Sequence, residues 1–243
     1  MDIAAIYAGQ QERLASLVLA HADRTTERVP ACPDWEVRDV LAHVVGLARD
    51  AVDGSLPELD LLEQWRDDDV ATTRDGMTAN QVAGAAGRPV QDLVGEWRRL
   101  TDRMAPMLDG VVPFPDPAPF GLGAILVTDL AVHDQDVRGA LGAPRADDGL
   151  VQSLAIATYC FGVDYRVEQL GLPAFAVRYG ERERVLGSGD PVAVLTADRF
   201  ELLRAFAGRR SRAQILALDW TGDPGPYVGL IPAYGERAVD LVD

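Results

Sequence analysis

Apolar residues recurring every three or four positions through most of the first 141 residues constrain this chain more than any other feature. From Asp2 to about His21, Ile3, Ile6, Tyr7, Leu14, Leu17 and Val18 recur at helical spacing. Residues 36–53 repeat the pattern through Val37, Val40, Leu41, Val44, Val45 and Ala48, and Gly54 is placed to end it. Pro89, suited to a first helical turn, opens a third helix through Leu93, Trp97, Leu100 and Met104. A proline-rich loop over 111–120 leads to a fourth helix, from Leu122 to about Leu141. Residues 55–88 are less regular, and Asp67-Asp68-Asp69 reads as a solvated surface run. Four amphipathic helices bury their stripes most fully against one another, so the expected first domain is a helix bundle.

The fourth helix carries polar residues where apolar ones belong. At 100° per residue, Leu122, Ile125, Leu126, Leu130, Val137 and Ala140 define its apolar face. Asp129, His133 and Asp136 fall in the middle of that face, at i, i+4, i+7 spacing, while Asp134, Gln135 and Arg138 fall on the opposite, solvated side. Charged groups in a core stripe are costly to bury unless something pairs or binds them. Three explanations stand open: an internal His133–aspartate salt bridge, a metal site, or a metal-free acid–base pair. His43 lies at the flank of the second helix's apolar arc, beside Val40 and Leu47. Facing the fourth helix, it would join Asp129 and His133 in a three-ligand site with an open position, the pattern of catalytic zinc. His21, at the end of the first helix, suits the helix dipole there.

Composition narrows the chemistry. The 243 residues include 38 acidic and 23 basic ones, for a net charge of -15, and every basic residue is arginine. The absence of lysine removes Schiff-base catalysis and the P-loop lysine. So acidic a chain is repelled by a phosphate backbone, with only Arg209, Arg210 and Arg212 forming a short basic patch, so no nucleic-acid partner is expected. No apolar run approaches the ~20 residues of a membrane span. The N-terminus lacks a signal peptide's basic start and apolar core, so a cytoplasmic protein is expected. Cys32 and Cys160 make no paired motif and are read as reduced thiols, Cys32 as a small structural residue in the loop before the second helix.

Gly142-Ala143-Pro144 and Asp147-Asp148 suggest a domain boundary. Beyond it, 150–169 is helical, 174–179 and 192–196 read as strands, and helical periodicity returns over 200–207 and 212–218 before a tail of loop and strand. The fold class expected is therefore mainly α with a smaller α+β part.

The run Val29-Pro30-Ala31-Cys32-Pro33-Asp34-Trp35-Glu36 through Ala42-His43 resembles the N-terminal signature of the mycothiol-dependent maleylpyruvate isomerase family, part of the DinB-like superfamily. The run from Asp129 through His133 and Asp136 to Arg138 resembles its second metal motif, and residues 195–211 are similar to its second domain. The resemblance implies a DinB-like four-helix bundle over 1–145 and an α+β domain over 146–243. It aligns His43 and His133 with the family's metal histidines and Asp129 with its acidic ligand, commonly glutamate. The shorter aspartate requires a closer approach of the helices. Asp136 would orient His133 as a supporting carboxylate. Either Arg209 or Arg210 would match the arginine that the C-terminal domain brings to catalysis.

The cofactors implied are a divalent metal, zinc first, and mycothiol as cosubstrate. A cation lowers a thiol's pKa from about 8.5, turning mycothiol into a nucleophile for isomerisation or S-transfer on a small electrophilic substrate. A non-catalytic binding or regulatory module and a metal-dependent hydrolase are the alternatives, since one fold hosts many functions. The sequence leaves the oligomeric state and the electrophile open.

Overall fold

Burying apolar stripes against one another is the dominant gain open to the first half of the chain. The computed structural model describes residues 1–58 and 68–242, without the side chains of Asp68 and Asp69, so the acidic run at 67–69 lies outside the described residues. The chain folds as two units, Met1–Asp147 and Asp148–Asp243.

In the first unit, α1 (Ile3–Ala20) starts where the Asp2 carboxylate accepts the Ala5 N–H at 2.8 Å. It ends at His21, whose Nδ1 lies 2.9 Å from the Leu17 carbonyl oxygen. The segment expected to be a plain loop then forms a small antiparallel hairpin, β1 (Arg28–Val29) with β2 (Cys32–Glu36). It runs directly into α2 (Val37–Asp53) through a capping box, in which Asp39 accepts the Glu36 N–H at 2.9 Å and Glu36 accepts the Asp39 N–H. The amides of Val37 and Arg38 donate to the carbonyls of Glu27 and Thr25. These bonds satisfy donors a helix start leaves open and tie it to the preceding chain. Gly54, at φ 69°, closes the helix in the left-handed region.

Within the stretch expected to be irregular lies α3 (Asp68–Gly84). Its apolar residues, Val70, Met77 and Val82 among them, are scattered without a regular stripe, so its helicity rests on packing against α2 more than on its own pattern. At Gly46 of α2 the two helices come close: a Cβ there would lie 2.6 Å from Cβ and Cγ of Gln81. Next come α4 (Val90–Leu108) and α5 (Leu122–Leu141). Helix α1 packs against α4 and α5, and α2 against α3, α4 and α5, completing the bundle. Trp97 of α4 is fully buried and donates its indole N–H to the Tyr7 hydroxyl at 3.1 Å. Glu96 links α4 to α2 through Arg49 at 2.7 Å and also pairs with Arg88 at 2.5 Å. Burial would raise the Glu96 carboxyl, but the two arginines hold it below its ordinary value.

Helix α5 departs from the expected one-sided stripe. Asp134 and Gln135, placed on its solvated side by periodicity, are buried. The loop that follows folds back: Gln135 donates to the Ala146 carbonyl at 3.1 Å, and Asp134 is paired with Arg138 at 3.0 Å. Burial pushes the Asp134 carboxyl up despite that partner.

The second unit opens with α6 (Gly149–Gln169), followed by β3 (Phe175–Tyr179), β4 (Arg182–Leu186), β5 (Ala193–Thr196), α7 (Arg199–Phe206), α8 (Arg212–Leu216), β6 (Asp219–Thr221) and α9 (Gly225–Val228). The sheet order is β4-β3-β5-β6, with β3 and β5 parallel and the outer pairs antiparallel. The β4 edge strand was not legible because four of its five residues are exposed and three of them charged. Asp198 caps α7 by accepting the Glu201 N–H at 2.8 Å. Phe175 and Tyr227 stack at 4.4 Å in the core of this unit. No helix among the described residues is long and apolar enough to cross a membrane.

Two consequences are measurable. Trp97→Ala leaves a large core void and an unpaired Tyr7 hydroxyl, and is expected to cost about 3–5 kcal/mol in urea unfolding. Cys160 sits buried on α6, which pushes its thiol from the ordinary 9.0 to about 12. In the native protein at pH 8 it should resist alkylation until urea exposes it, as read by mass spectrometry. Because the unfolded thiol releases its proton first, this group's contribution to stability should fall as pH rises above about 9.

Candidate metal centre

Three side chains expected to share a site converge between α2 and α5. His43 stands in the second turn of α2, where the capping box and the Glu27 and Thr25 carbonyls fix the backbone. Asp129 and His133 stand one turn apart on α5. Asp129 Oδ1 lies 3.5 Å from His43 Nε2 and 3.6 Å from His133 Nε2. The two imidazole centroids are 5.0 Å apart, with the rings at 80°. Both histidines are buried, at 6% and 7% exposure, whereas the Asp129 side chain keeps 20%. The helices approach closely enough for the short aspartate to reach both rings.

Each ring has an acceptor oxygen near its Nδ1. His133 Nδ1 lies 3.1 Å from Asp136 Oδ2, with its N–H turned off the line to that oxygen. Asp136 is 1% exposed, and its Oδ2 also accepts from the Cys32 thiol at 3.7 Å. His43 Nδ1 lies 2.7 Å from Gln81 Oε1 of α3. Trp35 of β2 covers the pair, its ring 5.3 Å from His43 and stacked at 6.0 Å on His133. Tyr7 lies deeper: burial, first of all, and the charge of Asp129 raise its phenol well above its ordinary pKa.

The donor set fits a divalent ion. Zinc–nitrogen and zinc–oxygen bonds near 2.0–2.1 Å, spread tetrahedrally, place neighbouring donor atoms about 3.3 Å apart. The two separations of 3.5 and 3.6 Å are close to that spacing and longer than a hydrogen bond. Both Nε2 atoms face Asp129, and with the ring protons on Nδ1 both would offer it a lone pair. A second group, Cys32, His133 and Asp136, also brings three donor atoms together. It uses the other nitrogen of the same ring, and a neutral imidazole has only one lone pair to give, so one ion excludes the other. The first set has the rings so oriented.

Gln81, Trp35 and Cys32 were not anticipated as parts of this cluster. Trp35 and Cys32 belong to the quoted Cys-Pro-Asp-Trp run, so their signal lay in the motif beside His43. Gln81 had none, lying in the stretch without apolar periodicity.

The C-terminal arginines belong to the second unit. Arg210 is buried, closes its guanidinium on Glu201 at 2.7 and 3.0 Å, and donates to the Arg209 carbonyl at 2.9 Å. Its carbon centre lies 5.8 Å from the Phe200 ring. Arg209 is half-buried and donates to the Ala207 carbonyl at 2.8 Å.

No curated protein and no solved structure matches the chain. Residues 7–138, within the first unit, match the family described as mycothiol maleylpyruvate isomerase N-terminal domain. That segment is more than half of the chain and contains His43, Asp129 and His133 together with Asp136, Trp35, Cys32 and Gln81. The chain therefore belongs to the mycothiol maleylpyruvate isomerase N-terminal domain family.

Proposed function

We propose that this protein is a metal-dependent enzyme that uses mycothiol in isomerisation or S-transfer on a small electrophilic substrate, with His43, Asp129 and His133 holding a divalent ion, zinc first. The observation that carries this reading is the meeting of three acceptors at 3.5–3.6 Å, with each imidazole's other nitrogen already facing an acceptor. A structural salt bridge would draw an imidazolium N–H to within 2.7–3.2 Å of the carboxylate. Converging lone pairs instead call for a cation between them.

When bound, such an ion lowers the pKa of a thiol at its open position and so supplies a nucleophile at neutral pH. The chain's own residues do the rest. Asp136, its carboxylate 3.1 Å from His133 Nδ1, is placed to orient that ring and is a positioning residue. The Trp35 ring shields both imidazoles and keeps the local dielectric low. Anion recognition is assigned to the pair Arg209 and Arg210, of which Arg210 also closes its fork on Glu201.

Elemental analysis of the purified protein should find close to one equivalent of a divalent metal. Cobalt(II) titration of the metal-free protein should give the intense visible bands of a low-coordinate N/O site. His133→Ala should weaken metal binding more than ~100-fold and abolish mycothiol-dependent turnover of activated alkenes or halides. A wild-type protein that binds no divalent metal, or a His133→Ala protein that keeps both metal and thiol-dependent turnover, would overturn the assignment. Metal-dependent product formed without thiol would instead identify a hydrolase.

A further inference from the structure

The support behind His43 differs in kind from the support behind His133. Gln81 Oε1 lies 2.7 Å from His43 Nδ1, and Gln81 Nε2 donates to Asp50 Oδ2 at 2.7 Å. Asp50 stands two turns beyond His43 on α2, with Gly46 between them. At Gly46 the two helices meet so closely that any Cβ would strike Gln81, which seats this side chain between the histidine and the aspartate.

A carboxylate only accepts, so Asp50 determines which end of the amide faces it. With its nitrogen turned to Asp50, Gln81 must present oxygen to His43. An oxygen there requires the proton of neutral His43 to be on Nδ1, leaving the Nε2 lone pair toward Asp129. Such a bias matters because an unrestrained neutral histidine in water prefers the opposite tautomer. We propose that Gln81 and Asp50 form a directional relay that selects the His43 tautomer able to ligate at Nε2. The relay rests on the assignment of His43 as a ligand. Gln81 and Asp50 act as positioning residues, and an amide is the side chain that accepts at one end and donates at the other.

The test uses the full chain in four forms: wild type, Gln81→Leu, Gln81→Glu, and Gln81→Glu combined with Asp50→Asn. The first readout is the nitrogen-15 chemical shifts of His43 in metal-free protein at a pH where the ring is neutral. Wild type should be protonated at Nδ1, and Gln81→Leu should shift toward Nε2. The second readout is zinc affinity by chelator competition, with Gln81→Leu expected to bind about 10–100-fold more weakly. Gln81→Glu sets two carboxylates against each other and should also bind more weakly. The double variant exchanges acid and amide between the two positions. Its amide, now on α2, donates to the carboxylate now on α3, and that carboxylate still accepts from His43. Affinity should therefore recover to within a few-fold of wild type. A purely space-filling Gln81 predicts no such recovery.

The relay is overturned if Gln81→Leu keeps both the Nδ1 tautomer and wild-type affinity, or if the double variant does no better than Gln81→Glu. If wild type binds no zinc, the metal assignment fails, while the nitrogen-15 shifts still decide whether the relay sets the tautomer.

Discussion

Asp129 held 3.5–3.6 Å from two inward-facing imidazole nitrogens is the contact on which the first unit turns. With both rings neutral and protonated at Nδ1, three acceptors would point at one another and repel in a low-dielectric interior, so the backbone would have to hold them there. The fold does this from both sides. Helix α2 is anchored at its first turn by the capping box and by two backbone bonds to the preceding chain. Helix α5 is buried almost all round from Leu126 to Val137, leaving it little freedom to rotate the pair away. The bundle core, with Trp97 bonded to Tyr7 beneath the cluster, adds rigidity from below.

Much of this was legible from spacing because the decisive residues lie on strongly periodic helices. Asp129, His133 and Asp136 broke the apolar stripe of α5, and His43 sat at the edge of the stripe on α2. Periodicity failed where burial comes from neighbours rather than from a helix's own face. Gln135 read as solvated because its cover is the loop ending at Ala146, which no helical wheel includes. Helix α3 was missed for the same reason, and Gln81 with it. A helix of scattered apolar residues pressed onto a glycine of its partner carries no stripe to detect. The β4 edge strand shows the converse: it pairs through its backbone while its side chains remain charged and exposed.

With no lysine in the chain, arginine makes the paired contacts to carboxylates in both units, as Arg98 does to Glu12 in the first. In the second, arginine serves as a structural fork: Arg210 clamps Glu201 across a turn, and Arg199 donates to the Ser153 hydroxyl at 3.1 Å. A planar guanidinium meets a carboxylate with two parallel bonds, which a lysine ammonium cannot do. Buried Arg210 thus costs little to keep charged, since its partner approaches with matching geometry.

The unequal backing of the two histidines has an electrostatic consequence. Asp136 places a negative charge directly behind His133, whereas Gln81 places a neutral amide behind His43 and sets the charge of Asp50 one side chain further away. Burial, opposed by the Gln81 hydrogen bond, also raises the Asp50 carboxyl above its ordinary value. With Asp129 as the third donor, the immediate surroundings of a divalent ion carry two negative charges rather than three. A carboxylate at position 81 would make the cage net negative before any thiolate arrived, and would oppose the loss of the thiol's proton. A neutral amide orients the ring without that penalty, so tautomer control at His43 is compatible with a centre that binds an anionic ligand.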